Sequence, residues 1–103
     1  MSNDNWYIDD GGDKIWFSDP SDRQNTWHRL DGPAVVSRKG TLEWWVNDMR
    51  HRLDGPAIEA YNGDKIWYIN GVRYYYFKDF QEAGGISDSD MMVLRLKYGE
   101  ITI

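Results

Sequence analysis

The chain of 103 residues contains no cysteine, which excludes disulfides, thiolate metal sites and a cysteine nucleophile and fits a reducing compartment. No apolar run approaches the roughly 20 residues that span a bilayer. The opening Met1-Ser2-Asn3-Asp4 lacks the basic and apolar regions of a secretory signal. The expectation is a soluble, cytoplasmic protein with no membrane role. Positive charge is scarce as well: 12 Lys and Arg stand against 17 Asp and Glu, a net charge of −5. That is the wrong sign for gripping a phosphate backbone, so no direct contact with nucleic acid is expected. The length suits one domain over 1–103, because two separate cores would each be too small to offset chain entropy. Aromatic area, in contrast, is abundant, with six Trp and seven Tyr within a hydrophobic content of only 41%. A β-rich fold packed through aromatic rings follows.

The sequence repeats itself. His28-Arg29-Leu30-Asp31-Gly32-Pro33-Ala34 recurs unchanged at His51-Arg52-Leu53-Asp54-Gly55-Pro56-Ala57, a period of 23. Gly12-Asp13-Lys14-Ile15-Trp16-Phe17, Gly40-Thr41-Leu42-Glu43-Trp44-Trp45 and Gly63-Asp64-Lys65-Ile66-Trp67-Tyr68 mark the starts of three units. The first unit carries five extra residues within Ser18 to Thr26, and in the third Tyr74-Tyr75-Tyr76-Phe77 replaces His-Arg-Leu-Asp. Each unit reads as strand, tight turn, strand. Asn70-Gly71 gives the type I′ hairpin signal, with Asn47-Asp48 at the same place in the middle unit. Asp54-Gly55-Pro56 is a second turn, and Lys39-Gly40 and Asn62-Gly63 turn between units. Strands are expected near 5–9, 14–18, 34–38, 42–46, 57–61, 65–69 and 72–76, an antiparallel meander. Alternation places Trp16, Trp44 and Trp67 in one column, expected to stack as core, and Phe17, Trp45 and Tyr68 in a second.

The period changes after residue 76. Phe77 to Ala83 before Gly84-Gly85 predicts a short helix with a glycine stop. Ser87 as N-cap, Arg95 and Lys97 late in the run and Gly99 just after it predict a second helix over 88–98. Residues 92–96 also tolerate the period of a strand. The expected class is therefore α+β: hairpin repeats over 1–76 and a helical cap over 77–103.

The 23-residue unit Gly-x-x-x-Trp-x-x-Asn-x-x-x-His-x-x-x-Gly resembles the MORN repeat over residues 12–76. More narrowly, Trp44 to Ala57 is similar to a His-Arg-x-Asp-Gly-Pro-Ala repeat of many small proteins of tailed phages, with Asp48-Met49 where that family usually carries Gly-Lys. The resemblance implies successive β-hairpins in an elongated twisted sheet and a noncatalytic interaction module, with a phage origin.

No cluster of residues points to catalysis, a cofactor or a metal. The two histidines, His28 and His51, fall at equivalent places two strand spacings apart, about 9–10 Å, too far to share one ion. They are expected to hydrogen-bond turns, with Arg29 and Arg52 pairing with Asp31 and Asp54 or with acids of the next unit. Together with Gly32, Pro33, Gly55, Pro56 and the three column tryptophans they read as structural. Partner contact is expected at the insertion (Asp19, Asp22 and Arg23) and at the aromatics Trp45, Tyr68, Tyr74, Tyr75 and Tyr76, since rigid scaffolds present recognition loops and Trp, Tyr and Arg dominate hot spots. Charge is uneven, −4 over 1–31, +2 over 32–78 and −3 over 79–103. The N-terminal acids could imitate a phosphate array toward a nucleic-acid-binding host protein. The expected role is binding and inhibiting or redirecting a host protein or protein complex, such as a defence complex. Self-association through open sheet edges, including a homodimer, is the alternative.

Overall fold

A few turn residues set the architecture. A computed structural model describes residues 5–99. Asn47 and Asp48 take φ of 51° and 62°, and Asn70 and Gly71 take 49° and 81°, the paired left-handed values of a type I′ turn. Gly12, Gly40 and Gly63, at φ of 88°, 103° and 96°, close the turns between units, their N–H groups donating to the carbonyls of Asp9, Ser37 and Ala60. Between these turns lie nine short strands: β1 (Trp6–Ile8), β2 (Lys14–Trp16), β3 (Val35–Val36), β4 (Leu42–Glu43), β5 (Trp45–Val46), β6 (Met49–Arg50), β7 (Ile58–Glu59), β8 (Lys65–Ile69) and β9 (Val72–Tyr74). Helices α1 (Phe77–Gly84) and α2 (Asp88–Tyr98) follow. Every strand pairing is antiparallel. The order is β1-β2-β3-β4-β7-β8-β9, with β5-β6 as a separate two-stranded ladder. The class is α+β, a mostly antiparallel sheet with two C-terminal helices.

The meander differs from expectation at Trp44. The predicted strand over 42–46 is divided there, because the Trp44 N–H donates to Ala57 O in the first sheet while its carbonyl accepts from His51 N in the second. β4 therefore pairs with β3 and β7, and β5 pairs with β6, a strand the alternation pattern misses. β8 makes the same change of partner without a break, Ile66 facing Ile58 and then Trp67 facing Tyr74. The unit is thus a bent hairpin whose two halves belong to different ladders. Phe17 opposite Trp27, Trp45 opposite Arg50 and Tyr68 opposite Arg73 are the same hairpin pair in three units. The five extra residues within 18–26 accordingly enlarge the first hairpin's loop, which contains a short 3-10 turn at Pro20–Asp22.

The expected stack of tryptophans does not form as a ring-on-ring column. Trp16 and Trp67 are buried but Trp44 is only half-buried. What lies over Trp16 and Trp44 is a guanidinium group, Arg29 at 3.9 Å and Arg52 at 3.7 Å from the ring centroids. Over Trp67 the same service comes from the helices: Phe77, Phe80 and Tyr98 meet it edge-on at centroid distances of 5.1, 5.0 and 5.5 Å. Edge-to-face contact suits the ring quadrupole.

Both helices form for local reasons. Gly85, at φ 61°, and Ile86 donate to Glu82 O and Gln81 O, the two bonds of a Schellman stop. Ser87 Oγ then accepts from Asp90 N to start α2. Met91, Leu94 and Tyr98 lie on one helical stripe facing the core, which settles residues 92–96 as helix and leaves Met92, Val93 and Leu96 exposed. Trp67, Ile69, Phe77, Phe80, Met91 and Leu94 make the main cluster. Phe80 is fully buried at its centre. Truncation by Phe80→Ala is expected to cost about 3–5 kcal/mol, read as a lower urea midpoint. Near-native stability would show that the cap is peripheral to the core.

Candidate functional site

The repeated heptapeptide crosses from one ladder back to the other, and its side chains hold that crossing. Arg29 Nε donates to Asp31 Oδ1 at 2.9 Å and Nη1 to Pro33 O at 3.1 Å. Arg52 repeats this with Asp54 at 3.0 Å and Pro56 O at 3.1 Å, then adds Glu59 Oε2 at 2.8 Å and Tyr98 Oη at 3.3 Å. A Cβ at Gly32 would stand 2.9 Å from Arg29 Cζ, and one at Gly55 only 2.6 Å from Arg52 Cζ. Each guanidinium is thus held between a glycine and a tryptophan ring while its N–H groups satisfy a carboxylate and a carbonyl.

The histidines tie neighbouring units. His28 Nδ1 accepts from Asn47 N and His51 Nδ1 from Asn70 N, both at 3.0 Å, the next unit's hairpin turn in each case. The acceptor role assigns the imidazole proton to Nε2 in both. Asp48 adds a second tie between units: its Oδ1 accepts from Trp27 N at 3.3 Å and its N–H donates to Trp27 O at 2.8 Å.

Two adjacent clefts open along the rim formed by these crossings, each about 600 Å³. Leu30, Asp31, Trp44, Val46, Leu53 and Asp54 line the first, between the two loops. The second, between the latter loop and the helices, shares Leu53 and Asp54 and adds Ile86, Asp90, Val93 and Leu94. Leu30 is 80% exposed and Leu53 41%, both unusual for leucine at the tip of a charged loop. The arginine side chains are turned inward, at 22% and 11% relative exposure, while Asp31 and Asp54 point out at 59% and 87%. The Arg29 hydrogen bond holds the Asp31 carboxyl below the usual aspartate range.

The structure distributes the expected contact residues over several surfaces. Asp19, Asp22 and Arg23 are exposed, on a loop that is internally fastened: Asp19 Oδ1 accepts from both N and Oγ of Ser21, which lowers its pKa. Asp22 O accepts from Thr26 Oγ1, and the Arg23 guanidinium sits 4.4 Å from the Tyr7 ring. Trp45 is half-buried edge-on against Trp27 at 5.0 Å, and Arg50 lies near both Trp45 and Tyr68. Tyr74 packs against the core cluster, 6.2 Å from Phe80, so it is not a free contact residue. Tyr75 and Tyr76 are exposed at 42% and 59%, with Arg73 over the Tyr75 ring. Leu30 and Leu53 were not singled out in the sequence. The signal was present, an apolar residue repeated inside a polar turn.

Among the described residues, no group of three or more His, Cys, Asp and Glu could hold a metal ion, and no helix is long and apolar enough to cross a membrane. No family model matches the sequence, and comparison with curated proteins and with solved structures likewise gives no match.

Two expectations follow for this rim. Gly55→Ala should lower stability by about 1–3 kcal/mol, because the four anchors of Arg52 and its tryptophan leave the guanidinium nowhere to move. Gly32→Ala should cost less, since Arg29 has fewer anchors. Urea unfolding of both variants decides, and equal small losses would contradict the wedge. The lowered pKa of Asp31 means that its contribution is complete above the usual aspartate range and is lost as pH falls through the lowered value. In an acid titration by NMR, the Arg29 Nε–H resonance should therefore shift only below the range where exposed aspartates titrate.

Proposed function

We propose that the chain is a noncatalytic protein-binding module of MORN-like hairpin repeats, of the type found in small tailed-phage proteins. It acts in the host cytoplasm by binding, and inhibiting or redirecting, a host protein or complex such as a defence complex. The observation that carries this reading is what the repeated motif leaves at the surface. Its histidines, arginines and aspartates hydrogen-bond within the fold, so they serve as scaffold, while Leu30 and Leu53 stand exposed beside half-buried Trp44. Exposed apolar side chains on a rigid frame, ringed by charge, are the usual make-up of a protein contact. The exposed acids Asp19 and Asp22 add a negative surface toward a partner that normally grips phosphate.

Self-assembly is a second reading, favoured by one feature. β1 lies at the end of the seven-stranded sheet with Trp6 47% and Ile8 55% exposed, and such an edge can pair with another copy.

The test is affinity capture of the tagged full chain from a bacterial lysate with mass spectrometry, beside a Leu30→Ser, Tyr76→Ser variant. Both replaced side chains are exposed, so folding should be unaffected. One host protein or complex retained by the original chain and lost by the variant is the expected result. Recovery of copies of this chain alone, with a defined oligomer by light scattering, would replace the binding reading with the assembly one.

A further inference from the structure

Helix α2 is apolar on two opposite sides, and the described chain covers only one of them. Met91, Leu94 and Tyr98 pack into the core. At about 100° per residue, Met92, Val93 and Leu96 fall on the far side, where Leu96 is 83% and Met92 64% exposed. A helix with apolar residues all round is ordinarily buried all round. Nor is this outer face isolated. Val93 lines the cleft that also holds Leu53 and Ile86, so the apolar surface runs on from the helix toward the second crossing loop.

The charges beside that face select what can cover it. Asp88 and Arg95 stand on one margin and Asp90 and Lys97 on the other, each cation seven residues after its acid, or about two turns further along the same side. The first margin is engaged by α1: Gln81 Nε2 donates to Asp88 Oδ1 at 2.7 Å, and the Arg95 guanidinium lies 5.5 Å from the Phe77 ring. The second is open, with Asp90 and Lys97 exposed along the cleft and Lys97 Nζ 5.2 Å from its own neighbour's ring, Tyr98. A margin that is acidic at one end and basic at the other matches itself when reversed. In an antiparallel pair of α2 helices whose two-fold axis passes between Met92 and Val93, like margins meet. Asp90 of each copy then faces Lys97 of the other, Met92 packs on Val93, and Leu96 sits over the small Ser89. The opposed helix dipoles favour the same arrangement. A lipid surface calls instead for cations along the polar margin, and here each margin begins with an acid.

We propose that the outer face of α2 is a dimer interface, on which a second copy of this chain docks its own α2 antiparallel. The inference goes beyond the host-protein reading and does not rest on it, since the face leaves Leu30 and the insertion free. It also differs from strand pairing at β1, which ends the sheet opposite the strands that carry the helices. The interface uses the same patch on both copies and closes at two. Three apolar side chains from each copy fall short of the roughly 800 Å² per partner of a stable complex. The dimer is accordingly weak, with a dissociation constant of about 100 µM.

Sedimentation velocity of the full chain at low salt, from about 5 µM to about 1 mM, reads the association. Monomer at the low end and dimer at the high end are expected. Leu96→Lys should keep the chain monomeric throughout. Asp90→Lys alone and Lys97→Asp alone should each weaken dimerisation about tenfold, because each brings like charges together twice. An equal mixture of these two single variants should restore it, because an all-basic margin then meets an all-acidic one. All three positions are exposed, and circular dichroism establishes that each variant is folded. A chain that stays monomeric to the highest concentration, a dimer that survives Leu96→Lys, or a mixture no more associated than its components overturns the assignment to α2. Capture of a host protein, or its failure, bears on the module reading and not on this result.

Discussion

The stacking of an arginine between a tryptophan ring and a glycine is the interaction on which the repeats depend. In each full unit the guanidinium covers a ring that would otherwise face solvent, closes the Asp-Gly-Pro turn through a carboxylate and a carbonyl, and fixes where the chain returns to the first ladder. Burying an aromatic face beneath a hydrogen-bonded cation lets strands of two or three residues persist where apolar area is limited. The glycine cannot be exchanged freely because a Cβ would occupy the guanidinium's place. His-Arg-Leu-Asp-Gly-Pro-Ala is thus a single mechanical part in which one residue, the leucine, is directed elsewhere.

Stacked units need an end, and the third unit supplies it by changing chemistry. Tyr75 stands where the other units carry Arg29 and Arg52; Trp67 is covered instead by Phe77, Phe80 and Tyr98, which brings two helices onto the last hairpin and forms the main buried cluster. Tyr98 also reaches back to Arg52, joining the cap to the preceding crossing. Ile15, Trp16, Phe17, Ala34, Val35 and Ala57 are buried in the preceding units, which add cation–ring and hydrogen-bond contacts to that burial.

The histidine bonds explain why neighbouring units keep a fixed step. Each imidazole accepts from the N–H at the start of the next unit's turn. At the opposite end Asp13 and Thr41 side chains accept from Arg38 N and Tyr61 N. Units are fastened at both extremities, so the placement of the crossing loops is a property of the frame and not of the loops themselves.

Much of this was legible in the sequence, because the determinants are local. The identical heptapeptides and the 23-residue period give the number and order of hairpins. Asn-Asp and Asn-Gly give the type I′ turns, and Ser87 and the glycines at 85 and 99 give the helix ends, each through backbone preferences that act within a few residues. Other features required the tertiary structure, because they are set by neighbours distant in the chain. Alternation along residues 42–46 cannot show that the strand changes partner at Trp44, since both partners lie in other segments. Nor can it show that arginine and not tryptophan covers the rings, or that Tyr74 turns into the core. The bond between Arg52 and Tyr98 joins residues 46 apart, and the cleft between the two crossing loops exists only once segments 23 residues apart stand side by side. Local sequence determined the repeating part; long-range packing decided which of its side chains are buried and which stay exposed.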